Sequence, residues 1–100
     1  MKGYRLTKKA DKDVSQLYEY GIGQFGLKRA KIYLHELIVR FEVLTENPAL
    51  GRSAADVYPG LRRIAYKAHS IFYLLDSDGL LIVRVLRTEM DFKRQFEQGI

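Results

Sequence analysis

Four arginines stand in the most apolar part of this 100-residue chain: Arg62 and Arg63 side by side, then Arg84 and Arg87. A guanidinium is planar, permanently charged and carries five donors, so it grips carboxylate or phosphate through two parallel hydrogen bonds. Side chains alternate along a strand. Neighbours, and residues three apart, therefore face opposite sides of a sheet, and each pair offers one arginine to each side. A stem lying along apolar surface with its head in water accounts for any single arginine. Four of them in one apolar stretch point to recognition of an anionic partner. The tail that follows, Thr88 to Phe96, mixes charge with the apolar anchors Met90, Phe92 and Phe96. That composition suits docking, either onto the chain itself or onto a partner. Arg62, Arg84, Arg87, Met90 and Asp91 are the candidate binding residues. Arginine supplies charge-assisted contacts and Met90 an apolar anchor. Asp91 serves either as a contact or as the structural partner of a sheet arginine.

Other chemistry finds little to work with. There is no cysteine, hence no disulfide framework and no thiolate metal site. The two histidines fall on different elements, so no metal centre and no cofactor is expected. His35 borders the polar side of a helix. His69 opens a strand beside Ser70 and reads as a partly buried histidine bonded across a sheet. Ser53, Ser70 and Ser77 carry no nucleophile motif. No catalytic residue is assigned. Among the aromatics, Phe72 reads as core, and Tyr66 is open between core and a stacking surface.

The elements that must position these residues follow from periodicity. Leu61 to Tyr66, His69 to Leu75 and Leu80 to Arg87 are short, bounded and rich in β-branched and aromatic residues, so they read as three consecutive antiparallel strands. Asp76-Ser77-Asp78-Gly79 is a hairpin turn between the last two. Tyr4-Arg5-Leu6 is a further short strand that must join the later ones. Thr7 is a helix N-cap, with Asp11 and Asp13 near the positive end of the helix dipole. Ala10, Val14, Leu17, Tyr18, Gly21 and Phe25 share one face of that helix. Gly26 stops it. A second helix carries the stripe Leu27, Ala30, Leu34, Leu37, Phe41 and Leu44, with Glu36 and Arg40 spaced as an i,i+4 ion pair, and ends at Asn47-Pro48. Leu50 to Gly60 reads as a loop. Phe92 and Phe96 are spaced for a short amphipathic helix. The fold class is α+β: an N-terminal short strand, then an antiparallel helical hairpin packed on a small antiparallel sheet with three C-terminal strands.

The totals set bounds. One hundred residues suffice for a single domain with one modest core. Seventeen basic against twelve acidic residues give a net charge of +5, which suits solubility and an acidic partner or nucleic acid alike. The opening Lys2-Gly3-Tyr4-Arg5 is not an apolar run, so no secretory leader is expected. Ile71 to Leu75 is too short to cross a bilayer, so no membrane association is expected and a cytoplasmic location follows by default.

Taken in order, several short blocks form a pattern: Tyr4-x-Leu6-Thr7 before Ala10-x-x-Asp13-Val14; Phe25-Gly26; Ala30-x-x-Tyr33; Asn47-Pro48-x-x-Gly51-Arg52; Gly60-Leu61-Arg62; His69-x-Ile71-Phe72-Tyr73; Ile82-x-Arg84-Val85-Leu86; and Met90-Asp91. In order and spacing this resembles the ParE branch of the RelE/ParE toxin superfamily, over nearly the whole chain. The resemblance implies a helical hairpin on a small sheet, with the first strand joining the last three. It also implies the toxin of a type II toxin–antitoxin pair, an inhibitor of DNA gyrase that acts by binding. Such a toxin is neutralised in a hetero-oligomer by a ParD-type antitoxin, and meets DNA only through that antitoxin. An acidic, amphipathic segment that folds on binding would fit a basic, arginine-rich surface. Relatives of the RelE branch cleave messenger RNA on the ribosome with basic residues and, in many members, a tyrosine near the C-terminus. No tyrosine follows Tyr73 here, and no acid or base stands beside Arg62, Arg84 or Arg87 in the sequence. Two alternatives stay open: a ribosome-dependent endoribonuclease, and an inactive toxin-fold interaction module. Many ParE relatives carry histidine after the Arg-Val-Leu run, where this chain has Arg87.

Overall fold

The structure is a computed structural model that describes residues 3–100; Met1 and Lys2, and with them part of the expectation about a leader, lie outside the described residues. Strand β1 (Tyr4–Leu6) leads into helices α1 (Lys8–Phe25) and α2 (Leu27–Glu46). Strands β2 (Arg52–Ser53), β3 (Arg62–Tyr66), β4 (His69–Asp76) and β5 (Gly79–Arg87) follow, then the single turn α3 (Phe92–Gln95). The sheet runs β1-β5-β4-β3-β2.

Two features correct the expected small antiparallel sheet. β1 lies parallel to β5, pairing Tyr4 with Leu80 and Leu6 with Ile82. The intervening helical hairpin and strands supply the long crossover that a parallel pair needs. The loop after α2 also contributes a two-residue strand, β2, which pairs Arg52 with Arg63 and Ser53 with Arg62. Two residues carry no periodicity that could announce a strand.

Thr7 joins sheet to helix. Its backbone N–H extends the β1–β5 ladder to Ile82 O at 3.0 Å. Its hydroxyl accepts the Ala10 N–H at 3.0 Å, as an N-cap does, and donates to Val83 O at 2.8 Å. Gly26 alone separates the two helices, at φ 89°, a conformation glycine adopts without steric cost. At Gly21 the helices approach closely: a Cβ built there would lie 3.5 Å from that of Ala30. The outer ends of the apolar stripes, Phe25 and Leu27, are exposed, contrary to expectation. The tip of the hairpin is therefore not packed into the core.

The sheet has two apolar faces. On one, Leu37 and Phe41 of α2 and Ala10 of α1 pack against Ile71, Tyr73, Ile82 and Val85. On the other, Phe72, Val83, Leu86 and Leu61 are covered by Ala54 and Phe96, with Phe92 beside them. Phe72 meets Phe92 edge-on at 4.9 Å and Phe96 at 5.2 Å. The tail therefore docks on the chain itself, through the i,i+4 phenylalanines read as a short amphipathic helix.

Candidate functional site

The site starts from an irregularity in β5. Tyr73 opposes Ile82 but its neighbour Phe72 opposes Arg84, so Val83 is an extra residue in the strand. A bulge breaks the ladder and leaves backbone groups that need other partners. The start of α1 provides them. Thr7 takes the carbonyl of Val83, and the carboxylate of Asp13 accepts the N–H of Val85 at 3.0 Å. The same carboxylate receives Arg84 Nε at 2.7 Å and Nη2 at 2.9 Å. Both side chains are largely buried. Asp13, expected to serve the helix dipole, instead holds the bulge and turns Arg84 toward α1, although Phe72 opposite it points to the other face.

Beside this pair opens a groove of about 960 Å³. One wall is the overhanging hairpin, with Leu17, Gly21, Phe25 and Ile32. The other is the end of the sheet, with His69 and Val85 to Arg87, closed by Glu89 and Met90. Tyr20, Phe25 and Ile32 are more than half exposed, so the hairpin wall offers apolar surface to a partner. Arg29, Lys67 and Arg87 give the rim positive charge.

The polar groups of the groove are tied to one another. The Tyr33 hydroxyl lies 2.7 Å from His69 Nδ1. The partner of His69 is thus a helix residue, not one across the sheet. Burial, then the Arg87 guanidinium opposite it, pushes the His69 pKa below the ordinary histidine value. Arg87 pairs with Glu89 at the surface. Glu36 does not pair with Arg40: it accepts the Tyr66 hydroxyl at 2.6 Å and Lys67 Nζ at 3.0 Å, which hold its carboxyl below the usual range. Arg40 lies over the Tyr66 ring at 5.5 Å. Tyr66, left open by the sequence, is buried in the hairpin-side core.

The five candidate residues thus divide. Arg84, Arg87 and Met90 meet in the groove. Arg62 does not: its Nη1 donates to Gly51 O at 2.6 Å, fastening the loop after α2 to the sheet. Asp91 pairs with no sheet arginine but caps α3, accepting the Arg94 N–H at 3.3 Å. Sequence reasoning missed Asp13, Tyr33 and the exposed hairpin residues Phe25 and Ile32. An acidic residue one turn into a helix gives no sign of a strand arginine 71 positions away.

A family model described as the ParE toxin of the type II toxin–antitoxin system parDE matches residues 4–92. The chain belongs to the ParE toxin family. Toxin ParE1 of Caulobacter vibrioides is 32% identical over 91 residues, covering 91% of this chain and 94% of the relative. Toxin ParE1 of Mycobacterium tuberculosis is 29% identical over 92 residues, with the same coverage of each. A solved structure described as the chromosomal ParDE system from P. aeruginosa superposes with a TM-score of 0.77 over 89% of this chain and 98% of its own, at 20% identity. That likeness shows the ParE fold, a helical hairpin on a five-stranded mixed sheet. As a ParE toxin the chain is one half of a type II toxin–antitoxin system, and its groove is a surface of that toxin.

Proposed function

We propose that this toxin arrests growth by binding DNA gyrase, without catalytic residues of its own, and that a ParD-type antitoxin neutralises it by occupying the groove. Family membership supports the toxin assignment. The observation that carries the binding mode is the pairing of two arginines of the groove, Arg84 with Asp13 and Arg87 with Glu89, beside an exposed apolar wall. Arginines engaged in this way shape and charge a surface, and a guanidinium stays protonated, which makes it a poor general acid or base. The apolar hairpin wall and the basic rim suit an acidic amphipathic segment, whose apolar side would cover Phe25 and Ile32. Arg87, Met90 and, behind them, Arg84 are the proposed contacts; Arg62 and Asp91 contribute by fixing the loop and the tail.

The test is gyrase supercoiling in vitro with purified toxin. Loss of supercoiling with accumulation of linear DNA is the expected result, reversed by the antitoxin. Undiminished supercoiling with folded toxin in excess, together with cleaved transcripts in cells expressing it, would replace this reading with the ribosome-dependent endoribonuclease. No growth arrest despite tight antitoxin binding would leave the inactive interaction module.

A further inference from the structure

Away from the groove, on the sheet face that α3 partly covers, two arginines stand directly opposite each other. Arg52 of β2 and Arg63 of β3 are Cα partners in an antiparallel pair, so their side chains leave the sheet on the same side. Arg63 in turn opposes Phe72, whose ring lies under α3. Like charges in directly opposed positions destabilise a sheet. Among the described residues neither arginine forms an ion pair; the four ion pairs take Arg5, Lys67, Arg84 and Arg87. Arg63 is held in place, with its guanidinium over the Phe92 ring at 5.3 Å.

The same two arginines line a shallow recess of about 390 Å³, together with Ser70 and Thr88. Ser70, two residues before Phe72 on β4, is the buried polar residue of this face, at 4% exposure. Ala65, its partner across the strands, lines the same recess and is too short to fill it. Beside the apolar Leu50, Ile64 and Ala65, two arginines and two hydroxyl residues lining one recess are candidate donors to a tetrahedral oxyanion. Exposed Lys93 and Arg94 follow directly after Phe92, so positive charge continues past the recess along α3. A series of cations fits a chain of phosphates better than a single one.

We propose that Arg52, Arg63, Ser70 and Thr88 form a phosphate-binding site that takes the phosphodiester backbone of a nucleic-acid strand. The ligand would relieve the repulsion between the paired arginines, and no bond is made or broken. The site adds a direct nucleic-acid contact to a chain whose family resemblance implied DNA only through the antitoxin. It does not depend on gyrase being the target, because it lies on the opposite side of the sheet from the hairpin.

The experiment follows fluorescence anisotropy of a labelled oligothymidylate titrated with the full chain at several salt concentrations. Arg52→Gln/Arg63→Gln is expected to weaken binding about tenfold and to reduce the log–log salt slope by about 1.4, about 0.7 for each lost phosphate contact on a single strand. Arg52→Gln alone, at an exposed position with no ion-pair partner among the described residues, is expected to lose about half of that slope while leaving the fold at least as stable as wild type, since it removes the repulsion. Arg29→Gln, on the groove rim, is the charge-matched control for the single variant and is expected to have little effect. An equal loss from Arg29→Gln, or an unchanged slope in the double variant, would overturn the site in favour of diffuse basic charge. A chain that binds inorganic phosphate at Arg52 and Arg63 by NMR shifts, but not the oligonucleotide, would overturn the nucleic-acid assignment.

Discussion

Asp13 and Arg84 are joined by two hydrogen bonds, from Nε at 2.7 Å and from Nη2 at 2.9 Å, between the second turn of α1 and the bulge of β5. The same carboxylate takes the Val85 N–H, so it neutralises a buried cation and completes a broken ladder together. Replacing either partner leaves the other charged and largely buried. Asp13→Ala is expected to destabilise the fold by about 3–5 kcal/mol. Asp13→Leu combined with Arg84→Met should lose much less than the sum of Asp13→Leu alone and Arg84→Met alone, which with wild type complete the cycle. Urea denaturation of the four proteins measures the coupling, and strict additivity would mean that the pair contributes no specific interaction.

The loop after α2 is fastened by a buried tyrosine. The Tyr73 hydroxyl accepts the Gly51 N–H at 2.8 Å and donates to Pro48 O at 2.7 Å. Tyr73→Phe strands both groups and is expected to cost about 1–3 kcal/mol. Gly51→Ala fails for a different reason: its Cβ would lie 2.4 Å from the Tyr73 hydroxyl and 2.9 Å from the backbone oxygen of Arg63. Overpacking of this kind costs about 1–3 kcal/mol. Thermal unfolding of both variants checks this, and a melting temperature equal to wild type in either would contradict the packing described.

Stability should fall on mild acidification because of His69. Its folded-state pKa is depressed, by burial first and by Arg87 second. Between the folded value and the ordinary value of about 6.5 the unfolded chain binds a proton that the folded chain does not. The contribution is complete above the ordinary value and is lost as pH drops through the folded one. In the folded state the ring also faces Tyr33, Glu89 and Asp13. Unfolding free energies of wild type and His69→Gln, compared from pH 7 to pH 5, should converge as pH falls. A constant difference would show that the imidazole does not titrate on unfolding.

In the groove, exposure separates contact from scaffold. Arg87→Ala and Met90→Ala should each weaken antitoxin binding about 5–30-fold with little change in stability, as for truncated anchors at the centre of an interface. Phe25→Ser and Ile32→Ser, at exposed positions, should act in the same direction. Arg62→Ala should do the reverse, lowering stability through the lost bond to Gly51 O while sparing affinity. Calorimetric titration with the antitoxin, alongside melting curves, sorts the two groups. Unchanged affinity in all four groove variants would place the antitoxin elsewhere.

Local signals made most of the elements legible. Thr7, Gly26 and Asn47 mark helix ends because capping is a contact between neighbours in sequence. The Asp76–Gly79 turn and the i,i+4 spacing of Phe92 and Phe96 are likewise local, and the ordered short blocks were enough to suggest ParE. The pairings that go beyond a few residues were not legible. Glu36 prefers Tyr66 and Lys67 to Arg40 because the sheet brings a hydroxyl and an ammonium to it, whereas an exposed i,i+4 pair gains only a few tenths of a kcal/mol.

The sequence by itself determined the order of the elements, the two apolar faces that the strands would need to cover, and the positive surface. Each of these rests on periodicity, capping or composition, which a chain carries whatever its topology. Only the tertiary structure decided that β1 runs parallel to β5, that a bulge turns Arg84 onto Asp13, that Arg62 and Asp91 serve the scaffold while Arg87 and Met90 face the groove, and that Arg52 stands against Arg63. Those outcomes depend on strand register and on where the helical hairpin overhangs the sheet. Register is set by the packing of the whole core, so a shift of one residue would send the arginines of the shifted strand to the other face.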